Sequence, residues 1–185
     1  MNHLATSKDD ILAASRELIK DNGWTAVSIR AVASRCSVSA GTIYNYYESK
    51  SDLLGDTIES IWREIFFHTE DEQDFKDVAA CVSWIYKRLE YGNEQFPGFF
   101  SLHSLGFMKD EKTDGKNKML QTWGHILNGL CDILKNDPKI RPDVFDEQFT
   151  EKQFADILFS LILVSMIRQD YNPSSILMLI NKTLY

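Results

Sequence analysis

The chain is poor in residues that interrupt or cross-link a fold. Its 185 residues include nine Gly, four Pro and three Cys. An all-β sandwich or barrel needs a turn every ~8–12 residues and is excluded on that count. Collagen-like and low-complexity chains are excluded by the same composition. Cys36, Cys81 and Cys131 are widely spaced and odd in number, with no CxxC pair, so neither a zinc ribbon nor a redox dithiol is indicated. The longest apolar run, between Asp156 and Arg168, falls short of the ~20 residues of a membrane span. The opening residues hold no basic segment followed by an apolar stretch, so no secretory signal is expected and the cytoplasm is the expected location. Positive charge is scarce too: 20 Lys and Arg stand against 27 Asp and Glu, a net of −7. Such a chain is repelled overall by phosphate. Catalytic signatures are missing: GxSxG, HExxH, GxxxxGK[ST] and GxGxxG do not occur. His3, His68, His103 and His125 fall on separate segments without metal-ligand spacing. An enzyme is therefore not expected, and no cofactor or metal is implied.

What is present is apolar material in a helical rhythm. The chain is 44% hydrophobic, enough for a core. Ser7 and Asp10 form a capping box, followed by a stripe of Ile11, Ala14, Leu18 and Ile19, and Gly23 supplies a left-handed stop. Ser28 caps a second helix running to about Arg35, and Ser39 a third running to about Tyr46. Ser49 with Asp52 opens a long fourth, with Leu54, Ile58, Ile61 and Ile65 on one face. Phe75, Val78, Val82, Ile85 and Leu89 line a fifth helix. Phe99, Leu102, His103 and Phe107 suggest a sixth, and Met119, Trp123, Ile126, Leu130 and Ile133 a seventh. Thr150 and Gln153 begin an eighth. Pro173 begins the ninth, at the favoured first helical position. No strand candidate remains. The expected fold is all-α, with nine helices.

Charge divides the chain. Residues 1–50 carry six Lys or Arg against five Asp or Glu, while the remainder carries fourteen against twenty-two. A near-neutral head thus precedes an acidic body. Within residues 24–54 two short helices flank a tight turn at Cys36, Ser37 and Val38. Ile29, Val32, Ala33, Val38, Ile43 and Tyr47 are able to fix their crossing. This is a helix-turn-helix pattern, whose second helix enters a major groove. Small residues (Ser39, Ala40, Gly41, Thr42) open that helix, where bulk would hold the backbone away from base edges. Tyr44, Asn45 and Tyr46 follow with polar tips, and Ser49 and Lys50 open the next helix.

These residues resemble the tetracycline-repressor (TetR) family of bacterial transcriptional regulators. The resemblance rests on Ser28-Ile29-Arg30, Val32-Ala33, the run from Val38 to Tyr47, and Ser49-Lys50-Ser51-Asp52-Leu53-Leu54, within roughly residues 8–55. One departure stands out: Cys36-Ser37 occupies the turn where members commonly have a small residue and Gly, so the turn is expected to be slightly strained or differently shaped. The resemblance implies a DNA-binding head at 1–50 and an effector-binding and dimerisation body at 51–185. It implies that Ser28 meets phosphate and that Arg30 meets phosphate or a base edge. Ala40, Gly41 and Thr42, with Ser39 at the helix start, would face bases. Tyr44, Tyr46 and Lys50 would bond phosphates, and Tyr47 would be a core aromatic. Asn45 either reads adenine through its amide or points to solvent.

The resemblance further implies a homodimer on a palindromic operator, repressing until a small-molecule effector releases it. Trp62, Phe66, Tyr86, Phe99, Phe100, Trp123, Leu127 and Phe159 with His103 are the candidate effector pocket, and Gln121, His125, Asn128 and Ser160 are further polar candidates. A mainly apolar or aromatic effector is expected. The segment 154–167 is apolar nearly all round and must be covered on every side. Leu158, Leu161, Ile162 and Ser165, with Ile176, Leu177 and Ile180 of the last helix, are therefore the candidate dimer interface. The rival reading is an all-helical protein-interaction module that kept the head but lost operator binding.

Overall fold

The computed structural model of the chain describes residues 6–66, 75–100 and 114–185. Among them are eight α-helices and no strand. They are α1 (Lys8–Asn22), α2 (Ile29–Arg35), α3 (Ala40–Tyr44), α4 (Lys50–Phe66), α5 (Val78–Gln95), α6 (Asp114–Asn136), α7 (Glu151–Arg168) and α8 (Ser174–Thr183). A 3₁₀ turn, Trp24–Ala26, joins α1 to α2. The all-α expectation holds. The expected sixth helix, with Leu102, His103 and Phe107, lies outside the described residues apart from Phe99 and Phe100.

Helix ends follow the capping chemistry. Both halves of the boxes at Ser7/Asp10 and Thr150/Gln153 are made. Ser28 Oγ accepts from the Ala31 amide at 3.1 Å, and Ser39 Oγ from the Thr42 amide at 3.2 Å. Two boundaries differ from the sequence reading. Helix α3 stops at Tyr44, because Tyr46 and Tyr47 both turn their amides onto the Ile43 carbonyl. Pro173 sits at the cap of α8, one residue earlier than expected, and Asn172 Oδ1 takes the Ser174 amide at 2.9 Å.

The residues form two compact units. The first comprises Met1–His68 with Gly92–Met119. In it, α1 packs on α2 and α4, and α2 packs on α3. Ile11, Ile19, Val32, Ile43, Leu53, Ile61 and Ile65 are all at most 1% exposed. Each such side chain contributes roughly 1.5–3 kcal/mol on burial. Trp62, Phe66, Phe99 and Phe100 extend this core as a ring cluster, with Trp62 centroids 5.6–5.7 Å from the other three.

The second unit comprises Thr69–Tyr91 with Leu120–Tyr185. Its polar tie is Asp137, buried at the end of α6. Its carboxylate accepts the Val78 amide at 2.9 Å, the Tyr185 hydroxyl at 2.6 Å and the Lys139 amide at 2.9 Å. One satisfied carboxylate thus joins the start of α5, the loop after α6 and the C-terminal segment. Phe145, Phe149 and Phe154 pack at 6.0–6.1 Å beneath the start of α7.

The turn between α2 and α3 is the Schellman arrangement. Val38 donates its amide to Ala33 at 2.9 Å, and Ser37 to Ser34 at 3.1 Å. Ser37 itself has φ 57°, the left-handed conformation that glycine adopts freely. The departure noted in the sequence therefore carries real backbone strain. Ser37→Gly is expected to raise unfolding free energy by up to about 1 kcal/mol, the strain relief exceeding the added unfolded-chain entropy. Urea denaturation of the two proteins measures the difference.

Candidate nucleic-acid interface

Helix α3 is held by one anchor and two ties. Ile43 is fully buried, Ser39 caps the start, and the Val38–Ala33 bond fixes the approach from α2. At 100° per residue, the side opposite Ile43 is centred on Gly41 and Asn45, with Thr42 and Tyr44 at its flanks. The exposures agree: Gly41, Tyr44 and Asn45 are exposed, while Ala40 and Thr42 are half-buried. A Cβ built on Gly41 would meet only Ser39 Oγ, at 3.6 Å, so the free head itself does not require glycine there. An incoming duplex supplies a reason for it, since a bare backbone comes closest to a groove.

Ion pairing sorts the six cations of residues 1–50. Lys8 binds Asp56 at 2.6 Å, and Arg16 and Lys20 share Glu64 at 2.8 and 2.6 Å, which clasps α1 to α4. Arg35 spans Asp21 at 2.6 Å and Glu17 at 3.1 Å on α1. The Asp21 bond, then the Glu17 bond, raises its pKa further. Arg30 and Lys50 form no ion pair among the described residues, and both are exposed. Arg30 lies in the first turn of α2 and Lys50 opens α4, the elements on either side of α3. The site thus has two uncommitted cations and a small-residue helix between them in sequence.

Two expectations change in detail. Tyr46 donates its hydroxyl to the Thr6 carbonyl at 2.6 Å, so its proton is spent inside the head and would have to leave Thr6 to reach a phosphate. Ser39 and Thr42 turn their oxygens toward each other at 3.0 Å, which makes Ser39 a positioning group for α3. Ser28 keeps a hydroxyl proton beyond its capping role. Tyr47 is 3% exposed, the core aromatic anticipated, with Lys8 Nζ 5.4 Å from its ring centre. Burial first, then nearby Asp56 and Asp9, pushes its phenol pKa up.

The body residues fall in different places. Trp62, Phe66, Phe99 and Phe100 are packed together in the first unit. In the second, Trp123 meets Phe159 edge-on at 5.9 Å, Leu127 is half-buried, and the buried Tyr86 is hydrogen-bonded to Ser165 at 2.7 Å. His103 lies outside the described residues. Gln121, His125, Asn128 and Ser160 are exposed, which removes them as polar groups lining an enclosed pocket.

The candidate dimer set divides by exposure. Leu158, Ile162, Ile176 and Ile180 are at most 5% exposed and face the chain's own core. Ser165 is engaged by Tyr86. The uncovered apolar side chains are Ile157, Leu161, Val164 and Ile167 of α7, 37–46% exposed, and Met178 of α8 at 59%, with Leu177 half-buried beside it. The sequence did not single out Ile157, Val164, Ile167 and Met178 as exposed, because a helix apolar nearly all round has little phase to read.

A helix packed on the core through Ile29, Val32 and Ala33, a strained tight turn and an exposed small-residue helix define a helix-turn-helix protein. Residues 11–57 match the sequence profile of bacterial regulatory proteins, tetR family. An uncharacterized HTH-type transcriptional regulator in the lacX 3′ region of Lactococcus lactis is 27% identical over 101 residues, 49% of this chain and 52% of that one. The HTH-type transcriptional repressor KstR of Mycobacterium tuberculosis is 35% identical over 81 residues, 44% of this chain and 34% of that one. The chain thus spans about half of the first relative and a third of the second. The fold matches the transcriptional regulator FadR of Bacillus subtilis, solved with stearoyl-CoA, at a TM-score of 0.68 and 18% identity, over 97% of this chain and 100% of that one. Residues 11–57 thus match a tetR-family head, and the chain shares its fold with that solved regulator.

Salt dependence separates the cations. Arg30→Ala and Lys50→Ala are each expected to lower the slope of log K against log salt by ~0.9, while Arg35→Ala leaves it unchanged. Fluorescence anisotropy with labelled duplex between low and moderate salt reads all three. Gly41→Ala should fold at least as stably as the parent and bind DNA at least about tenfold more weakly, the cost of one poorly seated base contact. Thermal melting and gel shift on the same preparation test both halves of that statement.

Proposed function

We propose that the protein is a DNA-binding transcriptional regulator, a repressor that binds an inverted-repeat operator as a homodimer and is released by a small effector. The observation carrying this reading is the exposed small-residue helix α3, bracketed by the two uncommitted cations Arg30 and Lys50. Its relatives carry the names of transcriptional regulators and repressors, which supports the same reading. Residues 1–50 serve as the DNA-binding part and 51–185 as the effector-binding and dimerisation part. No catalytic step is assigned, and the site of action is the cytoplasm. No helix among the described residues is long and apolar enough to cross a membrane.

Dimerisation is assigned to the uncovered faces of α7 and α8, through Ile157, Leu161, Val164 and Met178. Leaving these side chains in water forfeits apolar burial that a second copy restores, and a two-fold pairing is the commonest way to do so. The two heads then meet half-sites one DNA turn, ~34 Å, or a multiple apart. The effector is a mainly apolar or aromatic molecule, in keeping with the ring-rich candidate residues of the sequence. It releases DNA to the extent that it prefers the conformation with the other head spacing, and no further.

Selection of binding sites from random duplex with the purified protein is the direct test, and an inverted repeat is the expected product. Recovery of no enriched sequence overturns the reading in favour of an interaction module. Leu161→Glu with Val164→Glu should give a folded monomer by sedimentation and weaken operator binding. Leu158→Glu should instead lower stability by several kcal/mol, because it places a charge in the chain's own core.

A further inference from the structure

We infer that the outward face of α3 reads A·T base pairs: an adenine edge through Asn45, and thymine methyl groups through Thr42 and Tyr44. The inference rests on the DNA-binding reading above and names the kind of operator that reading requires. With Ile43 buried, Gly41 and Asn45 lie at the centre of the face that a duplex meets, one turn apart. Gly41 adds no side chain, so the backbone approaches the groove and the Asn45 amide is carried to base-edge depth. An amide offers one donor and one acceptor side by side, the complement of adenine N7 and N6. Asn45 uses its backbone amide toward Thr42, while its exposed side chain makes no hydrogen bond among the described residues.

The flanks are apolar where they face outward. Thr42 turns its hydroxyl to Ser39 at 3.0 Å, which leaves its methyl as the outward chemistry. Tyr44 is 55% exposed and offers ring surface on the other side. Guanine is most often read by a forked or point cation and cytosine by a carboxylate. Residues 39–45 contain neither. The nearest uncommitted cations, Arg30 and Lys50, belong to neighbouring helices. By elimination and by fit, the pairs opposite α3 are A·T.

The test uses the full-length protein and an operator recovered by selection from random DNA. The half-site is expected to hold A·T pairs under α3. Replacing the contacted adenine by 7-deazaadenine removes only N7 and should weaken parent binding about fivefold or more, and Asn45→Ala should abolish that penalty. Replacing thymine by uracil removes only the methyl and should cost about fourfold per contacted base. Thr42→Ser, which keeps the hydroxyl for Ser39, should shrink the uracil penalty. Circular dichroism and an unchanged salt slope confirm that the variants fold and still contact phosphate. An inverted repeat with G·C pairs under α3 overturns the inference while leaving the DNA-binding reading intact. The same holds if modified bases bind equally or the penalties persist in the variants. Absence of any enriched sequence overturns both.

Discussion

Helix α3 is too short to stand by its own hydrogen bonds. A five-residue helix lies far below the length at which propagation repays nucleation. It exists because Ile43 is locked into a core made by α1, α2 and α4, and because the Val38–Ala33 bond and the Ser39 cap tie its approach. Everything the head presents to a partner depends on that anchoring. The strained Ser37 belongs to the same device, since only a left-handed residue brings the chain round sharply enough for Val38 to close the turn.

Electrostatics acts by subtraction. A head of nearly zero net charge looks unsuited to a polyanion. The ion pairs resolve this, because four of its six cations are neutralised by carboxylates of α1 and α4. Three of those pairs bind α1 to α4, and the fourth cation, Arg35, fastens α2 to α1. What remains exposed and uncommitted is Arg30 and Lys50, one on each side of α3 in the chain. Net charge sets the long-range field, whereas the pairing pattern decides where a phosphate is met. Surface pairs of this kind add modest stability, so their larger consequence is the selection of contacts.

The same logic of what is left over applies to the second unit. Helix α7 buries Phe154, Ala155, Leu158, Ile162 and Met166 against its own chain and leaves Ile157, Leu161, Val164 and Ile167 uncovered. A monomer with that face bare carries exposed apolar side chains on one helix, and α8 adds an exposed Met178. Patches of this type mark association surfaces.

The helices, their caps and the motif of the head were legible in the chain alone. Capping boxes, the left-handed stop at Gly23 and the motif from Val38 to Leu54 are local, and local hydrogen-bond chemistry is written in adjacent residues. The sequence also marked Tyr47 as core and the turn at Ser37 as strained or differently shaped, since a steric rule needs only the residue and its place in the turn. Tertiary structure alone decided which cations remain for phosphate, because Lys8–Asp56 and Lys20–Glu64 join residues more than forty apart. It alone decided the phase of α7, which is apolar nearly all round, so that periodicity carries little signal. It decided, too, that Tyr46 spends its proton on Thr6. Each of these depends on which surfaces meet, and contact between distant segments is not encoded in any short stretch of chain.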